Sequence, residues 1–111
     1  MSFLNFLFKN KYSDQIKIVG TDDFKSILQS SKVQLIDVRT SHEFRSNKII
    51  GAQNINYHSR NFVEEIKKLD RNKPVLVYCK SGFRSRRSAK KFAKLGFTEI
   101  YDLKGGIMNW Q

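Results

Sequence analysis

One segment limits the possible folds more than any other. Residues Pro74-Val75-Leu76-Val77-Tyr78 form an unbroken apolar run, followed at once by Cys79 and a turn containing Gly82. A run this short and this rich in β-branched and aromatic residues suits a strand buried on both faces. The segments around it alternate in period. Ile16–Val19 and Val33–Val38 are short apolar runs, Ala52–Ile55 is a brief strand candidate, and Phe97–Leu103 gives a last strand. Between them lie helical patterns. Thr21 or Asp22 can cap a helix carrying Phe24, Ile27 and Leu28, and Thr40 or Ser41 opens a short turn over His42–Arg45. Asn61 can cap a helix carrying Phe62, Ile66 and Leu69. Ser85–Leu95 turns Ala89, Phe92 and Ala93 inward and Arg86, Arg87, Lys90 and Lys94 outward, and Gly96 stands where a helix-ending glycine belongs. Strand and helix alternating through short connections predict an α/β domain, with a small, mainly parallel sheet flanked by helices on both faces. Ligands of such sheets bind beyond the carboxyl ends of the strands.

Length and composition narrow the function. A chain of 111 residues holds one domain, expected over residues 13–111 behind an apolar and basic tail over residues 1–12. In that tail Phe3, Leu4, Phe6, Leu7 and Phe8 precede Lys9 and Lys11, the wrong order for a secretory signal. The expectation is a helical turn packed on the domain or a loose tail, with weak membrane contact by residues 3–11 as the alternative. A single Cys excludes an internal disulfide and a multi-cysteine zinc site, and His42 and His58 leave little for a histidine-rich metal centre. No metal or cofactor is called for, and a cytoplasmic location is expected.

The net charge of +11 is unevenly placed. Lys73, Lys80, Arg84, Arg86, Arg87, Lys90, Lys91 and Lys94 fall in one stretch that contains no Asp or Glu, and Cys79 lies inside it. A thiol there stands at the mouth of the sheet, before the positive end of a helix and among cations. Backbone N–H groups from Lys80 to Ser85 can form an anion-binding nest. Each effect favours thiolate over thiol, and the thiolate is the nucleophile. Asp37 and Arg39 end another strand and should face the same side. An Asp–Arg pair there holds the loop in place by hydrogen bonds, direct substrate contact being the alternative. Ser81 and Ser85 can cap the following helix or touch substrate, and Phe83 lines or covers the pocket.

These residues resemble the rhodanese-like single-domain sulfurtransferases, over about Ile16 to Trp110. The carrying motifs are Cys79-Lys80-Ser81-Gly82-Phe83-Arg84-Ser85, Leu35-Ile36-Asp37-Val38-Arg39 with Glu43-Phe44, Gly51-Ala52 with Asn54-Ile55, and Leu103-Lys104-Gly105-Gly106-Ile107 through Trp110. The chain departs from the family pattern at Asn47-Lys48-Ile49, where Gly-His-Ile is frequent, and at Asn56, where a proline is common. The resemblance implies that Cys79 takes a sulfane sulfur from a donor such as thiosulfate, carries it as a persulfide and passes it to an acceptor such as cyanide or a thiol. Amides from Lys80 to Ser85 would surround the outer sulfur, and Arg84 and Lys80 would hold the anionic end of the donor. Trp110 and the Gly105-Gly106 turn would serve packing.

Three other readings compete with this one. A cysteine phosphatase or arsenate reductase needs five residues between its cysteine and arginine, whereas four separate Cys79 from Arg84. A non-catalytic rhodanese-like interaction module would typically have lost the cysteine. Nucleic-acid binding is disfavoured because the basic stretch has few interleaved aromatics. The partners expected are a small anionic sulfur donor or a persulfidated protein, with an acidic partner protein able to dock on the basic rim.

Overall fold

The computed structural model describes Tyr12, residues 14–30 and residues 32–110. Strands and helices alternate along them: β1 (Ile16–Val19), α1 (Thr21–Ser30), β2 (Gln34–Asp37), α2 (Ser41–Ser46), β3 (Gln53–Asn54), α3 (Phe62–Lys67), β4 (Val75–Tyr78), α4 (Phe83–Lys94) and β5 (Ile100–Leu103). A 3-10 turn over Gly106–Asn109 follows. The sheet has the order β1-β5-β4-β2-β3, and all its pairings are parallel.

The apolar run ending at Tyr78 supplies the central strand. All four residues of β4 are buried, alternating between two layers. Val75 and Val77 pack with Phe62 and Ile66 of α3 and with Ala89, Phe92 and Ala93 of α4. Leu76 and Tyr78 face the other way, onto Phe24 of α1 with Ile27 and Leu28 beside it. Burying a side chain of this size stabilises the fold by roughly 1.5–3 kcal/mol, so both helical layers are needed to keep β4 in place. The α/β class with helices on both faces is therefore what the chain adopts.

Element ends differ from expectation where a local bond competes. Phe97 does not enter the last strand: its N–H donates to the Phe92 carbonyl at 3.1 Å, and its ring meets the Phe92 ring edge-on at 5.1 Å. The strand starts at Ile100 as a result. Asn61 makes no side-chain cap, and α3 stops at Lys67, leaving Leu69 half-buried beyond its end. The second strand is trimmed to Gln34–Asp37 and the third to Gln53–Asn54. Thr40 does cap α2: its side chain accepts from the Glu43 N–H, and Glu43 reaches back to the Thr40 N–H. Of the tail over residues 1–12, residues 1–11 and their expected membrane contact lie outside the described residues, as does residue 13 at the domain boundary, while Tyr12 packs against the core layer that holds Val75 and Val77.

Candidate active site

The carboxyl ends of β2, β4 and β5 lie side by side, since Asp37 is in register with Tyr78 and Val77 with Asp102. Cys79 leaves β4 at this point, and the chain turns so tightly that the Gly82 N–H donates to Cys79 Sγ at 3.0 Å. Gly82 has φ 110°, a conformation costly for any residue with a Cβ, and it caps α4. Neither Ser81 nor Ser85 supplies that cap. Of the amides expected around the sulfur, the one that donates to it is that of Gly82. The sulfur is not open at the mouth of the sheet: Cys79 is 1% exposed.

The turn after β5 supports the loop from behind. The Ile107 N–H donates to the Cys79 carbonyl at 2.9 Å and the Met108 N–H to the Lys80 carbonyl at 3.2 Å. Gly106 lies against those peptides with φ 65°, and a Cβ there would fall on the Lys80 carbonyl and 2.6 Å from the Cys79 oxygen. The paired glycines thus bring the backbone into contact with the cysteine loop. Trp110 stays a packing residue, edge-on to Phe24 at 6.0 Å.

Two carboxylates from elsewhere in the chain reach the loop, whose own basic stretch contains none. Glu43 of α2 takes the Arg84 guanidinium in a two-point grip, Nη1 to Oε1 at 2.8 Å and Nη2 to Oε2 at 3.0 Å. That grip, joined by the Thr40 bonds and opposed by burial, lowers the Glu43 pKa from 4.5 to about 2. The Arg84 pKa is raised, first by its hydrogen bond to Glu43. A guanidinium held this way ties the loop to α2.

Asp102 of β5 is the second. It is fully buried, and its Oδ1 accepts from Ser85 Oγ at 2.6 Å. Ser85 Oγ in turn lies 3.5 Å from Cys79 Sγ, whose S–H donates to it. Asp102 Oδ2 accepts no hydrogen bond and has Arg86 Nε at 3.8 Å. Burial raises the Asp102 pKa from 3.8 to about 6, against the pull of Ser85 and Arg86.

Asp37 and Arg39 form a buried brace. Arg39 Nη2 meets Asp37 Oδ2 at 2.7 Å, and its Nε donates to the same carboxylate at 3.1 Å. The outer nitrogens reach Asn47, Nη2 to its carbonyl at 2.6 Å and Nη1 to its Oδ1 at 3.2 Å. Asn54 donates to the carbonyls of Asp37 at 3.0 Å and Arg39 at 2.9 Å. The guanidinium lies over the Tyr78 ring, and burial raises the Tyr78 pKa, its hydroxyl accepting from the Ile49 N–H at 3.1 Å. Asn47 is one of the departures from the family pattern, and it completes this brace.

Three further cations of the basic stretch line a groove beside the loop. A shallow groove of about 480 Å³ runs past Ser81, Gly82 and Phe83 to Arg86, Arg87 and Lys90. Phe83 is largely exposed along it, with the Arg87 guanidinium 4.7 Å above its ring. Lys80 is exposed in a separate depression beside Arg39, Glu43, Asn47 and Met108. The structure therefore brings Cys79, Gly82 and Ser85 together, ties their loop to α2 through Arg84, and leaves Lys80 and Ser81 at the rim, while the side-chain bonds of the Asp37–Arg39 pair run to Asn47 and Asn54 rather than to the loop as expected. Glu43, Asp102 and Gly106 are further residues at the site. Glu43 had a signal in the capping pattern Thr40-x-x-Glu43; Asp102 had none.

A wholly parallel sheet that presents one buried cysteine on a glycine turn, at the start of a basic helix, defines an α/β domain built around a single cysteine loop. The chain belongs to the rhodanese-like domain family, whose model matches residues 20–111. It is 43% identical over 79 residues to the uncharacterised protein YqhL of Bacillus subtilis, covering 71% of this chain and 61% of that one. It is 29% identical over 94 residues to the thiosulfate sulfurtransferase GlpE of Shewanella oneidensis, covering 85% and 91%. A crystal structure of a rhodanese-like domain protein from Staphylococcus aureus superposes with a TM-score of 0.75 at 27% identity, over 86% of this chain and 91% of that one. The chain also matches tRNA uridine(34) hydroxylases, of whose length it spans about a third, 34% in that of Bartonella quintana. Among the described residues no helix is long and apolar enough to cross a membrane.

Proposed function

We propose that the protein is a sulfurtransferase that moves a sulfane sulfur from a donor such as thiosulfate to a thiophilic acceptor through a persulfide on Cys79. The observation that carries this reading is the Gly82 N–H aimed at Cys79 Sγ at 3.0 Å, at the N-terminus of a twelve-residue helix with no acidic residue in its first turn. Amide and helix dipole both favour negative charge on sulfur, first the thiolate and then the persulfide. The thiolate attacks the outer sulfur of thiosulfate, the S–S bond of the donor breaks, and sulfite leaves with the electron pair. An acceptor such as cyanide then attacks the outer persulfide sulfur, and Cys79 leaves as thiolate. With no second cysteine in the chain, the acceptor must be external.

The groove geometry supports an anionic donor steered by Arg86, Arg87 and Lys90, with Lys80 on the far rim. The same cations suit a persulfidated protein or an acidic partner. Arg84, engaged by Glu43, serves in this reading to hold the loop. That engagement also counts against a phosphatase, whose loop arginine must be free to grip phosphoryl oxygens. A lone thiol that cycles through a persulfide suits a reducing compartment, which supports a cytoplasmic location.

Intact-protein mass spectrometry after thiosulfate exposure tests the reading. One added sulfur atom on Cys79, released to cyanide with thiocyanate formed, is the expected result, and Cys79→Ser gives neither. No persulfide from any sulfane donor refutes it and leaves the interaction module. Turnover of p-nitrophenyl phosphate that disappears in Cys79→Ser would favour the phosphatase.

A further inference from the structure

The proposed function leaves a proton to be placed. Cys79 is 1% exposed, so its thiol has no direct path to bulk water when the sulfur becomes an anion. The geometry supplies another. The S–H of Cys79 donates to Ser85 Oγ at 3.5 Å, and the Ser85 hydroxyl has one proton for two acceptors, Asp102 Oδ1 at 2.6 Å and the Gly82 carbonyl at 3.3 Å. The shorter contact, to an ionised oxygen, takes that proton. Ser85 then offers a lone pair, not a proton, to the sulfur.

We propose that Cys79, Ser85 and Asp102 form a proton wire that delivers the thiol proton to the buried carboxylate as the sulfur becomes the nucleophile. The S–H bond breaks and its electron pair stays on sulfur. Ser85 Oγ receives that proton, and its own proton moves to Asp102 Oδ1. Ser85 now donates to the thiolate alongside the Gly82 amide. When the acceptor removes the outer sulfur, the proton returns along the same path if Cys79 is to be reprotonated. No proton is gained or lost overall, so no external base is needed.

The surroundings of Asp102 fit a proton acceptor. Its unbonded Oδ2 is buried, and its register neighbours, Ile18 on β1 and Val77 on β4, are apolar. From α4 it faces Ser85 and the half-exposed Arg86, whose Nε stands 3.8 Å away. On the sulfur side Arg84 is turned to Glu43. Burial already shifts Asp102 towards its protonated form. Asp102 acts through Ser85 and is a positioning residue in that sense, while Ser85 touches the reacting sulfur.

The inference takes Cys79 as the attacking sulfur, as the proposed function does, but its test needs no sulfur donor. Because the chain has one cysteine, the ultraviolet absorbance of the thiolate, read against Cys79→Ser, reports Cys79 alone. In the wild type the thiolate signal is expected to rise with pH in two steps: the pair first loses one proton and shares the other, then loses the second. Asp102→Asn keeps an oxygen to accept from Ser85 but cannot take a proton, and the lower step should be lost. Ser85→Ala cuts the wire and should lose it too. A melting curve checks that each variant is folded, and the near-isosteric Asn variant carries the test if Ser85→Ala is not. A wild-type titration in one step, or two steps retained in folded Asp102→Asn, overturns the wire. Two steps in the wild type reduced to one in Asp102→Asn, together with no persulfide from any donor, would support the wire and refute the sulfurtransferase reading.

Discussion

Replacing Glu43 with Gln separates two roles of one side chain. Gln at this position still reaches back to the Thr40 N–H, so the helix cap survives, but the charge that grips Arg84 is lost. The magnitude follows from the Glu43 pKa, lowered from 4.5 to about 2, first by Arg84. A difference of that size corresponds to about 3 kcal/mol by linkage. The Glu43 side chain is 26% exposed, so solvent screening reduces this to about 1–2 kcal/mol. The sign is fixed by the lowered value: the stabilisation is complete above 4.5 and is lost as pH falls through about 2. Glu43→Gln should therefore lower Tm at neutral pH by about 4–8 °C. In urea titrations at decreasing pH, the gap to the wild type should close across that acid window. An unchanged Tm at neutral pH, or a deficit that persists undiminished at the acid end, refutes the reasoning. With the loop less firmly tied to α2, thiosulfate turnover should fall as well.

Asp102→Asn should act in the opposite direction on stability. The Asp102 pKa is raised from 3.8 to about 6, so its favourable contribution is full below 3.8 and lost as pH rises through about 6. The variant should exceed the wild type at neutral pH by about 2–3 kcal/mol and match it in acid, as read by chemical denaturation. Gly106→Ala places a methyl group on the Cys79 and Lys80 peptides and should cost about 2–4 kcal/mol, with loss of persulfide formation even where the variant is folded by circular dichroism. Arg39→Lys keeps the charge but cannot span Asp37 and Asn47 together; a loss of about 2–4 kcal/mol in urea denaturation is expected, with Asp37 left half-partnered.

The parts of this molecule that could be read from the sequence are those whose causes are local. The unbroken apolar run marked the central strand because β4 has helices on both sides and no wet face. Cys79 and Gly82 could be read together because the turn that joins them is three residues long. The Asp37–Arg39 pair could be read because the partners are two residues apart on one strand end. Helix caps divided by chemistry: Thr40 had a Glu three residues on to complete the box, while Asn61 was a cap-type residue whose side chain makes no cap bond. The carboxylates were hidden by distance along the chain. Glu43 meets Arg84 across 41 residues and Asp102 meets Ser85 across 17; the placement of α2 after β2 brings the first to the loop and the register of β5 on β4 the second. The basic stretch looked like one field, but the fold divides it. Arg84 is neutralised by Glu43, Lys91 lies over the rings of Tyr57 and Phe62, and Arg86, Arg87 and Lys90 line the groove beside Ser81, Gly82 and Phe83.

The backbone bonds from Ile107 and Met108 to the Cys79 and Lys80 carbonyls have a consequence for biosynthesis. Cys79 is translated before the turn that supports its loop. β5 emerges first and carries Asp102, but until Gly106 to Met108 follow it the loop carbonyls lack the N–H groups of Ile107 and Met108. The cysteine therefore passes through synthesis without its finished surroundings, and its site closes only when the far end of the domain docks.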